Sequence, residues 1–376
     1  MGDSDSVDIK RALTRKCAAL GIPVSGIFEL TPRCNLRCKM CYIRMTEPEM
    51  KPFGREKTAD EWISLAKEAV DAGMLFLLIT GGEPLIRADF PKIYEELMKM
   101  GLSISINTNG TLIDDKIKGL WRRLPPAYVN ITLYGTTEEE YERLCGDKNA
   151  FHKVVSAIEW LQNEGIIIHL NATMTPYNYG SLKAMENFAA SRNIALRMTP
   201  YCFPPVRRGG DGCTNDFSRL SAEKAGELTA FDIFFREGEE GIKKRLDFID
   251  TPINDGCEYK VGDTIKCLAG HSQFWVTWNG VMTPCGMMNE PQTKPFENWF
   301  LCEWEKLKNA VQKITLCSDC ANCSKKTTCM SCAAVMLCET GGFEGKPQYL
   351  CRMNDSYRET VKKISEKDIT FSDITK

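Results

Sequence analysis

Between residues 24 and 200, six short apolar and β-branched runs alternate with longer amphipathic segments. The runs are VSGIFEL (24–30), MLFLLIT (74–80), LSISIN (102–107), YVNITLY (128–134), IIIHLNAT (166–173) and ALRMT (195–199). Runs this short and dense read as strands buried on both faces. The segments between them carry a helical period. Thr58-Ala59-Asp60-Glu61 is a capping box, after which Trp62, Leu65, Ala66, Ala69 and Val70 share one face as far as Gly73. AFHKVVSAIEWLQNEG (150–165) repeats the scheme, with Val154, Ala157, Ile158 and Leu161 inward and Gly165 closing it. Strand–helix units in series call for parallel strands joined by right-handed crossovers. That leaves an α/β fold of one of two kinds, an open parallel barrel or a doubly wound sheet. In both, ligands meet the C-terminal ends of the strands.

The remaining composition narrows the function classes. A net charge of −2 over 376 residues gives no basis for nucleic-acid binding. The densest apolar run, MLFLLIT, is too short to span a bilayer, so no membrane partner is expected. The start MGDSDSVDIKR is polar and acidic, unlike a signal peptide, which points to a cytoplasmic protein. Eighteen cysteines then read as reduced thiolates holding metal, not as disulfides. Thirteen of them lie from Cys202 onward, which suggests two domains with different tasks. The expected division is an N-terminal segment (1–23), a core barrel (24–235) and a cysteine-rich domain (236–376).

Cys34, Cys38 and Cys41 follow the first strand at x3 and x2 spacing. Three thiolates leave one iron of a [4Fe–4S] cluster without a protein ligand, whereas structural zinc sites close with four. TPRCNLRCKMCYIRM (31–45) resembles the signature loop of the radical S-adenosylmethionine (SAM) enzymes. The resemblance implies a partial (β/α)6 TIM-like barrel in which the open iron chelates SAM and cleaves it to a 5′-deoxyadenosyl radical. Gly81-Gly82-Glu83-Pro84, after the second strand, is similar to the family's element that holds the methionyl amine; its glycines permit close backbone approach to a ligand. By the same resemblance Thr108, Asn109 and Thr132 contact the ribose and carboxylate of SAM, with Asn171 and Thr199 as further candidates. The residue before the last cysteine is usually aromatic in this family. Here it is Met40, with Tyr42 just after the motif, so either covers adenine.

The C-terminal cysteines have their own order. HSQFWVTW (271–278) and VMTP (281–284) flank Asn279-Gly280, a type I′ hairpin signal that brings Cys267 and Cys285 together. Cys320-x2-Cys323-x5-Cys329-x2-Cys332 and Cys351 follow. On spacing alone a pair of zinc knuckles is an alternative. The pattern resembles the SPASM extension of radical SAM enzymes, a β-hairpin plus helices holding two auxiliary [4Fe–4S] clusters, which makes three clusters in all. Carried across, one auxiliary cluster uses Cys257, Cys267, Cys285 and Cys332, and the other uses Cys320, Cys323, Cys329 and Cys351. The family's last interval is normally x3, so Cys338 or Cys317 is an alternative to Cys332. Cys302 stays unassigned.

Auxiliary clusters suit an oxidation, because a substrate radical must lose one more electron before a cross-link or double bond forms. The resemblance therefore implies an oxidoreductase that modifies a C–H bond of a ribosomally made peptide, under anaerobic conditions, with flavodoxin or ferredoxin as electron donor. About 23 residues precede the first strand, too few for a fused leader-binding domain, so a separate leader-recognition protein is a possible partner. Arg207 and Arg208, after the sixth strand, are read as solvated loop charges or as contacts for an acidic leader. Three alternatives stand beside this: epimerisation with Cys202 as hydrogen donor, a small-molecule radical dehydrogenase, and a non-catalytic metal-binding scaffold.

Overall fold

The computed structural model describes residues 3–208, 218–250, 265 and 267–375. All six expected strands form, within a residue or two of their expected bounds. In chain order the elements are α1 (Asp3–Leu20), β1 (Ser25–Glu29), α2 (Glu47–Met50), α3 (Ala59–Asp71), β2 (Phe76–Thr80), α4 (Phe90–Lys99) and β3 (Ser103–Thr108). There follow α5 (Asp115–Arg123), β4 (Tyr128–Thr132), α6 (Glu138–Cys145), α7 (Ala150–Asn163), β5 (Ile168–Thr173), α8 (Leu182–Ala190) and β6 (Ala195–Thr199). The C-terminal part adds α9 (Ala222–Asp250), β7 (Gln273–Val276), β8 (Met282–Thr283), α10 (Phe300–Val311), α11 (Ser318–Ala321), α12 (Ala333–Thr340), α13 (Gln348–Ser365) and α14 (Phe371–Thr375).

The six strands pair in parallel in sequence order, so the α/β class and its open, barrel-like arrangement follow directly. The outer face is sealed by helices. The capping box of α3 forms as its sequence indicates, and the Trp62 ring lies 4.9 Å from that of Phe28 of β1, tilted by 37°. Trp62, Tyr94 and Trp121 are fully buried beneath this layer, each worth about 1.5–3 kcal/mol of apolar burial. The inner face differs from the expectation of strands buried on both sides. Along β4, Val129 and Ile131 are buried while Tyr128, Asn130 and Thr132 are only half-buried. On β6, Arg197 is exposed opposite the buried Leu196. The polar side chains lining β4 to β6 leave the concave face open to a ligand. At the other end α1 lies across the strand starts, with the Lys10 ammonium 4.5 Å from the Phe76 ring and 5.6 Å from Tyr128.

The expected hairpin also forms, with two differences. Gly280 N bonds to Thr277 O and Thr277 N to Val281 O, which makes Trp278-Asn279-Gly280 a three-residue loop. Only Gly280 takes positive φ (+93°), whereas a type I′ turn needs it at both central residues. The hairpin is also no separate ribbon: β7 pairs in parallel with β1, extending the sheet to the order β6-β5-β4-β3-β2-β1-β7-β8. Phe274 of β7 packs on Phe28, Phe300 and Trp304, so the C-terminal part shares the main core. The proposed division at 235/236 falls inside α9, three residues before Gly238, where φ +67° breaks the helix into two. Among the described residues, no helix is long and apolar enough to cross a membrane.

Candidate active site

The cysteine loop leaves β1 at its C-terminal end and is tied down on both sides. Before Cys34, Arg33 pairs with Glu56 (2.8 and 2.9 Å), and the buried Arg87 guanidinium donates to the carbonyls of Leu30 (2.9 Å) and Lys57 (3.0 Å). Gly82 N donates to Thr31 O (2.7 Å) and Glu83 N to Arg33 O (2.9 Å). A Cβ on Gly82 would lie 2.5 Å from Arg33 O. The close approach that Gly81-Gly82 permits is therefore to the chain's own backbone at the entry to the cysteine loop. Further on, Arg37 N donates to Cys145 O (2.8 Å) and Lys39 N to Leu144 O (3.1 Å), so the C-terminus of α6 clamps the loop on either side of Cys38.

Glu83 is fully buried beside this loop. Its carboxylate accepts from Thr108 Oγ1 (2.8 and 2.9 Å), Asn109 N (2.7 Å) and Leu85 N (3.0 Å). Burial pushes its pKa up to about 7 despite those three donors. Asn109 Nδ2 reaches Asn35 Oδ1 (3.0 Å) and the Cys34 sulfur (3.7 Å), which brings the second and third strand ends against the first cysteine. Pro84 opens a single turn, Pro84–Ile86, which Glu83 caps by accepting from Leu85 N. Among the described residues no cation pairs with Glu83, and a buried carboxylate met only by neutral donors suits an amine ligand. Three soft thiols with that carboxylate fit the cluster and the SAM amine that the resemblance implies.

Thr132 and Asn171 are register partners on the half-buried concave face, and Thr199 partners Thr173 one step nearer the strand ends. Met40 packs against the main core. Tyr42 instead faces a cleft of about 340 Å³ between the cysteine loop and the hairpin, lined also by Ile43, Phe53, Trp278 and Val281. At its floor the structure corrects the reading of Arg207. Its guanidinium pairs with Glu29 of β1 (2.7 Å), where Trp275 Nε1 also donates (3.1 Å). The short turn Val206–Arg208 folds this side chain back over β1, so Arg207 is an ion-paired group in the cleft lining and not a solvated loop charge. Cys202 is buried, its thiol donating to Met174 O (3.7 Å) and pushed up to about 12 by burial. Sequence reasoning missed Glu29, Glu56 and Arg87. A carboxylate ending a buried strand immediately before the cysteine loop was the available signal for Glu29.

The later cysteines fall into two groups close enough for their charges to interact. Cys285 lies by Cys332 and Cys267, and Cys338 by Cys285 and Cys332. Cys320 lies by Cys317, Cys329 and Cys351, and Cys351 also by Cys323. Cys317 thus joins the second group, while Cys338 is the one beside Cys332. Cys257 lies outside the described residues. As placed, no three or more described His, Cys, Asp or Glu side chains are drawn tightly enough to hold a lone metal ion. Thiol-only donor sets suit iron–sulfur clusters.

Residues 28–189 match the family model described as "Radical SAM superfamily". Fe-coproporphyrin III synthase of Methanosarcina barkeri is 28% identical over 202 residues, covering 54% of this chain and 49% of that one, about half its length. AdoMet-dependent heme synthase of the same organism is 25% identical over 347 residues, 86% of this chain and 94% of that one. PqqA peptide cyclase of Granulibacter bethesdensis is 26% identical over 267 residues, 70% of this chain and 67% of that one. Among solved structures, Streptococcus suis SuiB bound to precursor peptide SuiA superposes with TM-score 0.66 at 17% identity, covering 93% of this chain and 81% of that one. anSMEcpe with bound AdoMet gives TM-score 0.66 at 17% identity, covering 92% and 100%.

Proposed function

We propose that the chain, which matches the radical SAM superfamily model over residues 28–189, oxidises a C–H bond of a peptide with SAM bound at the Cys34–Cys38–Cys41 loop. The observation that carries the site is the buried Glu83 carboxylate, held by Thr108 and Asn109 within reach of Cys34 and paired with no cation among the described residues. Cys34, Cys38 and Cys41 would hold a [4Fe–4S] cluster, which would supply the single electron that radical chemistry on SAM requires. Glu83 accepts an N–H of the methionyl amine. Thr132, Asn171 and Thr199 offer hydrogen bonds to the ribose and carboxylate along the concave face. Met40 and Tyr42 offer apolar surface to adenine. Cys257, Cys267, Cys285 and Cys332, and Cys320, Cys323, Cys329 and Cys351, would hold two auxiliary clusters as acceptors for the second electron, with flavodoxin or ferredoxin supplying the first.

A peptide substrate is supported by the open cleft between the cysteine loop and the hairpin and by the likeness to PqqA peptide cyclase. A second reading, oxidation of a small molecule, is supported by the likeness to AdoMet-dependent heme synthase, which runs over more of the chain. One experiment separates them. The anaerobically reconstituted, reduced enzyme is given SAM with either a short peptide encoded beside its gene or a haem precursor. The expected result is a peptide that has lost two hydrogens, matched by 5′-deoxyadenosine. Turnover of the haem precursor with an unchanged peptide would replace the proposal by the second reading. Deuterium incorporated from heavy water without net oxidation would point to epimerisation instead.

A further inference from the structure

We propose that Arg197 recognises a carboxylate of the substrate, so that the molecule oxidised is an acid whose carboxylate lies inside the barrel beside the SAM site. The proposal rests on the reading that SAM binds at the Cys34–Cys38–Cys41 loop and that the concave face receives the substrate.

Leu196 and Met198 of β6 pack into the helix layer. Arg197 lies between them and so points to the concave face. Its register partner is Asn171, whose own partner on β4 is Thr132, so the guanidinium continues their polar row onto the next strand. Asn130 and His169 form the row beneath, and Tyr128, with the Lys10 ammonium 5.6 Å from its ring, lies at the floor. Arg197 is exposed, and among the described residues it makes no hydrogen bond and no ion pair. Across the six strands Glu29 is the only acid and Arg197 the only lysine or arginine. Glu29 is already paired with Arg207 (2.7 Å) and Trp275 Nε1 (3.1 Å), and Glu83 is held by Thr108, Asn109 and Leu85. The described strands therefore offer Arg197 no counter-charge of their own.

A guanidinium presents parallel N–H donors that match the two oxygens of a carboxylate. In bulk water such a pair contributes little. On a concave face covered by bound ligands it is shielded from water and strengthens. SAM brings one carboxylate, which the reading above assigns to the open iron, so Arg197 is left for the second ligand. A peptide carries the matching group as an acidic side chain or its C-terminus, and a haem precursor as its acid side chains. A charge on an edge strand such as β6 also discourages pairing with another sheet. That role makes no demand on the substrate, which separates the two.

The test is calorimetric titration of the reconstituted, SAM-loaded, unreduced full-length enzyme. The peptide encoded beside the gene and a haem precursor are each titrated as free acid and as methyl ester. For the one that is the substrate, the wild type should hold the acid about ten- to hundredfold tighter than the ester. Arg197→Met should lose that factor for the acid yet bind the ester as the wild type does, and Arg197→Lys, which keeps the charge without the fork, should recover part of it. SAM affinity should be the same in all three proteins. Acid and ester binding alike to the wild type for both compounds overturns the proposal, as does an Arg197→Met variant that still prefers the acid. Weakened SAM affinity in Arg197→Met would assign the side chain to SAM's own carboxylate and overturn it too. A reconstituted wild type that binds no SAM overturns the reading on which the proposal stands.

Discussion

Glu83→Gln probes the most unusual group in the site. The wild-type carboxylate is fully buried with three donors and a pKa raised to about 7. Relative to an ordinary carboxylate near 4.5, that rise corresponds to about 3 kcal/mol. The folded chain binds the extra proton, so stability is fully present below the unfolded value and is lost as pH rises from about 4.5 through about 7. Glutamine has the same shape but cannot ionise. It also turns an amide N–H toward one of the donors that now serve the carboxylate, which costs about 1–3 kcal/mol at every pH. The wild-type-minus-variant stability difference should therefore swing by about 3 kcal/mol in the variant's favour between about pH 4.5 and pH 8. Urea titrations of both metal-free chains across that range measure it. In reconstituted enzyme at high pH, SAM should raise the wild-type unfolding temperature more than that of Glu83→Gln, because the amine meets the charge only in the former. A stability difference that stays constant with pH refutes the assignment of a buried, unpaired carboxylate.

Three further outcomes test other parts of the structure. Gly82→Ala places a Cβ 2.5 Å from Arg33 O and 2.7 Å from Pro32 O; the entry to the cysteine loop must shift, and reconstituted iron should fall by about four per chain. Glu29→Gln strands a buried Arg207, which should cost about 3–5 kcal/mol in chemical denaturation, while Glu29→Leu with Arg207→Met should recover most of it. Iron analysis of the reconstituted wild type should give about 12 irons per chain, falling by about four in Cys320→Ala/Cys323→Ala. Tightly held zinc in place of that iron would sink the two-cluster assignment.

Much of the fold was legible because its signals are local. The capping box at Thr58–Glu61 and the apolar face of Ala150–Asn163 need only neighbours in sequence. The dense strand runs likewise revealed six parallel strands. Their density concealed how far the concave face stays open, since Asn130, Asn171 and Arg197 sit within otherwise apolar segments. The β1–β7 pairing joins residues nearly 250 apart, and nothing local in QFWV specifies its neighbour. Site residues divide in the same way. Cys34, Glu83 and Asn109 lie at consecutive strand ends, so topology alone brings them together. The Glu29–Arg207 pair depends on a turn folding back over β1, which made a buried arginine look like a loop charge. The end of α6 clamps the cysteine loop through Arg37 N to Cys145 O and Lys39 N to Leu144 O, a contact between segments about 100 residues apart.

Radical initiation at Cys34, Cys38 and Cys41 is read from the nucleoside product. Reduced, reconstituted wild-type protein given SAM should release 5′-deoxyadenosine, and the Cys34→Ala/Cys38→Ala/Cys41→Ala variant should release none while keeping its C-terminal iron. A wild-type protein that holds its full iron yet leaves SAM intact would contradict the account and favour a metal-binding scaffold.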